Sequence, residues 1–299
     1  MLAHWILHGA LGCLRRATNF LLIDRLHTGA HAPRVKSNKS HLSHILEQFE
    51  SGVSQCAFVH VDLTELPKHF WHVDEYYPRC VNGRATTISR LLYSSALVLK
   101  NDDYDGPVIV KTVLNHRGLP ELRFESRRST FRKILYALKR RAIRDYDAKV
   151  CPVYRVYTSI SKVPAAVWSD RRLIVERFLP GRLTLPVVKH RLDFFYDIEL
   201  NIRSTYSSLL CDPETVITAE QVGDVPDKVL EVRRALNLDF GSIDYFVSDS
   251  DVFVVDANKT TTLTPSWGEQ FPFVARHLRL VTDRLIDFIQ GAQSDRTSF

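Results

Sequence analysis

Apolar positions along this chain follow two periods, and together they divide it into strands and helices. Short β-branched and aromatic runs at 57–61, 108–110, 172–181, 190–206, 242–247 and 252–256 end at polar or Pro/Gly turns, which predicts strands. The alternating segment 190–206 reads as two strands across a tight connection. The last two runs, separated by the polar stretch 248–251, read as a hairpin.

Helical spacing appears at Leu42, Ile45 and Leu46, at Phe131, Ile134, Leu135, Leu138 and Ala142, at Val229, Val232 and Leu236, and at Val274, Leu278, Val281, Leu285 and Ile289. It predicts helices over 40–49, 125–146, 227–236 and 273–289, the last closing on the core, with a frayed polar tail from Gly291. The 125–146 helix carries Arg128, Arg132, Lys139, Arg140 and Arg144 on its other faces, which suits a solvated outer helix or a docking face for an acidic partner or an RNA. A short strand at 4–9 and a surface loop over 27–40 complete a small leading unit at 1–90.

Composition narrows the class. With 299 residues and 45% hydrophobic content the chain can build one large domain or two lobes around a real core. A net charge of +6 favours anionic ligands without requiring nucleic acid, and aromatic interleaving in the basic helix is too poor for base stacking. The five cysteines are scattered and form no Cys-x-x-Cys pair, which argues against a disulfide framework or a zinc site and suits a reducing cytoplasm. The apolar start at 1–22 lacks a preceding basic residue and is interrupted by Arg15-Arg16, so it is expected to be folded protein, with neither export nor a membrane span. The histidine pairs His41/His44 and His69/His72 have no acid or thiol partner and are assigned no metal.

Candidate chemistry gathers in the hairpin. Asp244 lies inside an apolar run; Asp256 and Asn258 end the next one, two residues apart and so on one face of a strand, with Lys259 nearby. Pairing of the two runs would add Asp244 to that face, giving oxygen donors suited to a hard divalent cation that also holds phosphate. The same spacing suits an acid hydrogen-bonded in a corner beside a strand that simply ends. A second signal is Lys111, which interrupts the buried pattern Val108-Ile109-Val110 and calls for an anion, unless it lies on the solvated face of an edge strand. Neither a Walker-type loop nor a dinucleotide fingerprint occurs.

The run Asp-Phe-Gly-Ser-Ile-Asp-Tyr, the hairpin, and Val-Val-Asp-Ala-Asn-Lys resemble the magnesium-binding segment of the ATP-grasp superfamily. The resemblance spans roughly residues 57–268. It implies an α+β ATP-grasp fold in which two α/β subdomains, 91–175 and 176–290, clasp ATP between antiparallel sheets, with 291–299 as a tail. The stretches Val59–Thr64, Tyr77-Pro78-Arg79 and Asn82-Gly83-Arg84 are similar to a shortened leading domain that helps to hold the second substrate.

By the same resemblance Asp244, Asp256 and Asn258 hold Mg2+, with Asp256 in place of the commoner glutamate. Lys111 contacts the α/β-phosphates, a loop with Asn115 and Gly118 closes over the γ-phosphate, and Arg90, ahead of Lys100, supplies another phosphate contact. Glu176, Arg177, Phe178 and Leu179 form the adenine hinge, and Arg203, catalytic together with Lys111, steadies the transferring phosphoryl group. Many members have a basic residue where this chain has Ser242, and a ribose-binding acid where it has Arg182-Leu183-Thr184.

The implied activity is an ATP- and Mg-dependent carboxylate–amine ligase acting on a small-molecule or peptide carboxylate and an amine or other nucleophile, releasing ADP and phosphate. A homodimer is compatible with this reading. A kinase on the same fold, or a non-catalytic nucleotide-binding relative that gates a partner, would use the same site.

Overall fold

In the computed structural model, residues 20–24, 56–61, 63–77, 79–118, 120–121, 134, 154–179, 185–248, 251–261, 263 and 265–294 are described. The expected strand at 4–9, loop at 27–40, helix at 40–49, residues Arg182-Leu183-Thr184 and, apart from Ile134, the basic helix lie outside them.

The strands form three sheets. β1 (Phe20–Asp24), β2 (Cys56–His60) and β3 (Arg79–Val81) make a parallel sheet in the order β1-β2-β3. β4 (Val108–Thr112), β5 (Val156–Tyr157) and β6 (Leu173–Arg177) make an antiparallel sheet with β4 in the centre. The largest sheet joins β7 (Val187–Phe195), β8 (Ile198–Tyr206), β9 (Val216–Gln221), β10 (Phe240–Ser248) and β11 (Asp251–Asn258), antiparallel in the order β11-β10-β7-β8-β9. The α+β architecture with two antiparallel sheets agrees with expectation, whereas Lys111 stands on a central strand and not on an edge.

Side-chain alternation divides the large sheet into two faces. On one face Leu192, Phe194, Ile243, Tyr245 and Val254 pack with Val229 and Leu236, the latter closing α4 (Asp227–Ala235). α1 (Val73–Tyr76), α2 (Arg90–Tyr93) and α3 (Ala165–Ser169) are short. α5 (Pro265–Gln270) leads into α6 (Pro272–Ser294), which continues past Gly291, where a frayed tail was expected.

On the opposite face, Phe195 and Phe240 pack with Val281 and Leu285 of α6 and with Phe58 and Val81 of the parallel sheet. This apolar joint fills one end of the face and leaves the other end to charged residues. No helix among the described residues is long and apolar enough to cross a membrane.

Two polar devices join these units. Asn82, fully buried and left-handed at φ 56°, donates its main-chain N–H to Asp239 Oδ2 at 2.8 Å. Its side-chain oxygen accepts from the Asp239 and Phe240 N–H groups, and its amide nitrogen donates to Phe240 O and Lys259 O. Asn82→Ala orphans two main-chain donors, one of them fully buried, and is expected to destabilise the chain by about 3 kcal/mol, read as a lower urea midpoint.

The second device is the segment 94–98. Val98 N–H donates to Val175 O and Arg177 N–H to Ala96 O, while Ser95 N–H donates to Val254 O and Val254 N–H to Ser95 Oγ. One stretch of chain is thus stitched to β6 and to β11.

Candidate functional site

The hairpin register creates the site. Ser242 opposes Asn258 and Asp244 opposes Asp256, while on the other side of β10 Ser242 faces Asp193 and Asp244 faces Arg191. Directly paired residues share a face, so Asp244, Asp256 and Asn258 converge there with Lys189, Arg191 and Asp193 of β7. Beyond Asp244 a bulge shifts the register, and Tyr245 opposes Val254. Gly241 lets the strands meet this closely: a Cβ there, at φ +154°, would stand 2.1 Å from Asn258 O.

Basic groups flank the acids. Lys189 Nζ lies 2.8 Å from Asp244 Oδ2 and Arg191 Nη1 3.7 Å from Asp244 Oδ1. Arg191 also donates through Nη2 to Ser242 Oγ at 2.7 Å and through Nε to Asp193 Oδ2 at 3.0 Å, while the Thr261 hydroxyl donates to the other Asp193 oxygen. Burial pushes the Asp244 carboxyl up, but Lys189 and Arg191 beside it more than offset this and hold it below the usual carboxylate range. Burial weakens the hold of Lys189 on its proton; Asp244 reverses this and raises its affinity for the proton.

Asp244 Oδ1 is buried and receives no hydrogen bond from the described residues. Asp256 lends Oδ1 to Arg90 Nη2 at 2.5 Å and Oδ2 to Asn258 Nδ2 at 3.2 Å, and its side chain remains 25% exposed. These hard oxygen donors, one of them an orphaned carboxylate oxygen, fit a magnesium ion that keeps some of its waters. The surrounding cations suit the phosphates such an ion would accompany.

Across from this face stands Lys111. Its ammonium lies 2.7 Å from Glu176 Oε2, and Ser94 Oγ donates to Glu176 Oε1 at 2.7 Å. The anion that half-buried Lys111 called for is therefore, in this structure, the fully buried Glu176. Arg90 bonds both Asp256 Oδ1 and the main-chain oxygen of Thr112, the residue after Lys111, so the end of β4 lies against the hairpin here.

Beyond Glu176, Arg177 lies over Tyr104 and Phe253 at 5.0 and 5.8 Å, Phe178 N–H donates to Pro107 O, and Leu179 packs against Ala96, Phe253 and Val255. The last cluster is an apolar surface beside the charged one.

Asn115 opens a 3-10 turn that ends at left-handed Gly118. It is buried, donating its main-chain N–H to Thr64 Oγ1 at 2.8 Å and its Nδ2 to Ala257 O at 2.9 Å and Asn258 Oδ1 at 3.4 Å. The loop residue is thus docked on the hairpin. Arg90 bonds Asp256 and two main-chain carbonyls; Lys100 is exposed.

Arg203 is not brought together with the others. It pairs with His190, which opposes Tyr245, on the sheet face away from Asp244. The His190 and Tyr245 rings stack there at 5.1 Å, and Arg203 bonds half-exposed to Glu220 at 2.9 Å. Arg203→Ala should change stability by no more than about 0.5 kcal/mol and leave nucleotide affinity unaltered in a titration.

Lys189, Arg191 and Asp193 are functional candidates that reading the chain missed. The signal was present as charges of period two in an apolar strand, Lys189-x-Arg191-x-Asp193. Among the described residues the thiols offer no competing chemistry, since burial pushes Cys211 up to about 11 and Cys56 and Cys80 up to about 12.

No family model and no curated protein matches the chain. Solved structures do. The chain is similar to ATP-grasp ligases. Among them are D-alanine–D-alanine ligase from Bacillus anthracis complexed with ATP, at 12% identity over 93% of this chain and 98% of that one, TM-score 0.44. Another is the ATP-grasp ligase PsnB complexed with a phosphomimetic variant of a minimal precursor, Mg and ADP, at 12% identity over 60% and 47%, TM-score 0.31. The macrocyclase MdnC bound with precursor peptide MdnA from Microcystis aeruginosa MRC matches at 13% identity over 46% and 45%, TM-score 0.30.

Proposed function

We propose that this chain is an ATP-grasp ligase that binds Mg-ATP between its two antiparallel sheets and phosphorylates a carboxylate, which an amine or another nucleophile then attacks to release phosphate. The observation that carries this reading is the pairing of Asp244 with Asp256 on one sheet face, with Asp244 Oδ1 buried and lacking a hydrogen bond.

Asp244, Asp256 and Asn258 would hold magnesium, which when bound neutralises phosphate charge. Lys111, Lys189 and Arg191 supply fixed positive charge around the same space, already oriented by Glu176, Asp244 and Asp193. Arg191 takes the place of the basic residue absent at Ser242, and assumes the phosphoryl-steadying role expected of Arg203. Leu179, Phe253 and Val255 offer apolar contact to a flat base.

Calorimetric titration of Mg-ATP into the wild type and into folded Asp256→Ala/Asn258→Ala tests the site: the wild type should bind, and the variant should lose magnesium-dependent affinity. Candidate acids and amines are then screened by ADP release. Release that needs both substrates supports the ligase, whereas a stable phosphorylated product from one acceptor alone would replace it by a kinase.

A further inference from the structure

Arg90 occupies an unusual place. Its guanidinium is 4% exposed, and α2, the helix it opens, is only one turn long. Nη2 bonds Asp256 Oδ1 at 2.5 Å, and Nη1 reaches Thr112 O and Leu114 O at 3.3 and 3.4 Å. Thr112 ends β4, the strand that carries Lys111. One planar cation therefore joins a carboxylate of the hairpin to the end of the opposing sheet's central strand.

A fixed fork with several donors does this better than an ammonium, which offers one point of charge. Burying a guanidinium is costly unless it is paired and hydrogen-bonded, so an apolar side chain would fill this position more cheaply if packing were its sole purpose.

The bond also divides the labour of Asp256. Oδ1 is held by Arg90, Oδ2 is held, among the described residues, by Asn258 Nδ2 at 3.2 Å, and the two contacts fix the carboxylate. On the neighbouring ligand, Asn115 Nδ2 holds Asn258 Oδ1 and Ala257 O from the same side. The outer support of both residues thus comes from segments flanking the opposing sheet.

We propose that Arg90 is a positioning residue that acts through Asp256: it contacts no phosphate, orients the carboxylate with Oδ2 toward the cation, and fixes the spacing between the cation site and Lys111. This rests on the Mg-ATP reading above. It differs from a phosphate contact at Arg90, because both terminal nitrogens are committed, Nη2 to Asp256 and Nη1 to main-chain carbonyls.

The test uses the full chain, Arg90→Lys and Arg90→Met, each checked for folding by circular dichroism. ATP affinity is measured in EDTA, and Mn2+ affinity is measured in the presence of ATP by electron paramagnetic resonance. The expected result is a Mn2+ affinity lowered 10- to 100-fold, the range typical of lost outer-sphere partners, with affinity for metal-free ATP within about twofold of wild type.

A parallel fall in metal-free ATP affinity would make Arg90 a phosphate ligand and overturn the proposal. Unchanged Mn2+ affinity would reduce it to a packing residue. If Arg90→Met fails to fold, Arg90→Lys is compared with Asp256→Asn and the double variant: a residue acting through Asp256 adds no further loss once that carboxylate is gone, and additive losses overturn the proposal. Wild type that binds neither Mn2+ nor ATP sinks the Mg-ATP reading itself, and this inference with it; wild type that binds both, beside unaffected variants, sinks the inference alone.

Discussion

Asp244→Ala lowers stability by about 3–5 kcal/mol and abolishes magnesium-dependent nucleotide binding, because it strips a buried carboxylate from between Lys189 and Arg191. Asp244→Asn keeps the shape and removes the charge, and separates the two effects. Arg191 keeps Asp193 and Ser242 as partners, so the loss of stability is smaller while the loss of cation binding persists.

The pH dependence has a definite sign. The folded carboxyl titrates below its unfolded value of about 3.9, so its contribution is complete above that pH and disappears as pH falls through the lower folded value. Urea midpoints followed downward from pH about 6 should fall less steeply in Asp244→Asn than in wild type. Equal slopes in the two proteins would show that another group carries the acid limb.

Gly241→Ala has the second largest effect, and it needs no change of charge. The added methyl would stand 2.1 Å from Asn258 O, a backbone atom of the facing strand, at a φ of +154° that L residues rarely adopt. Either β10 or the end of β11 must move, and Asn258 lies at the point of collision. A loss of about 3 kcal/mol or more is expected, with Mn2+ affinity falling alongside it. Gly223→Ala is the control: no atom lies within 4 Å of its Cβ position, and its urea midpoint should stay within about 0.5 kcal/mol of wild type. Similar losses in both variants would mean that glycine flexibility, and not the collision, is responsible.

Local pattern was enough for the hairpin, because Asp256 and Asn258 share a face by period alone and the polar stretch at 248–251 announces the reversal. It was enough as well for α4, for most of α6 and for β4 and β6, though not for β5. It was not enough for Arg203, since the face a strand residue occupies depends on register with its neighbours, and a one-residue slip reverses it. The pairing His190–Arg203 decided that side.

β9 escaped notice because Ile217, Thr218 and Glu220 face outward and no apolar alternation marks the strand. The partners of Lys111, Arg90 and Asn82 lie 65, 166 and 157 residues away in Glu176, Asp256 and Asp239, beyond anything a local window can see. Arg191 was visible as a charge in an apolar strand, but only its neighbours across β10 reveal what it serves.

The stitching of 94–98 to both β6 and β11 gives the space between the two antiparallel sheets a fixed seam. Amides of Val98, Arg177 and Val254 are protected by the same short segment, so they belong to a single cooperative opening unit. Any breathing of the cleft is then a pivot about that seam, widest on the side away from it.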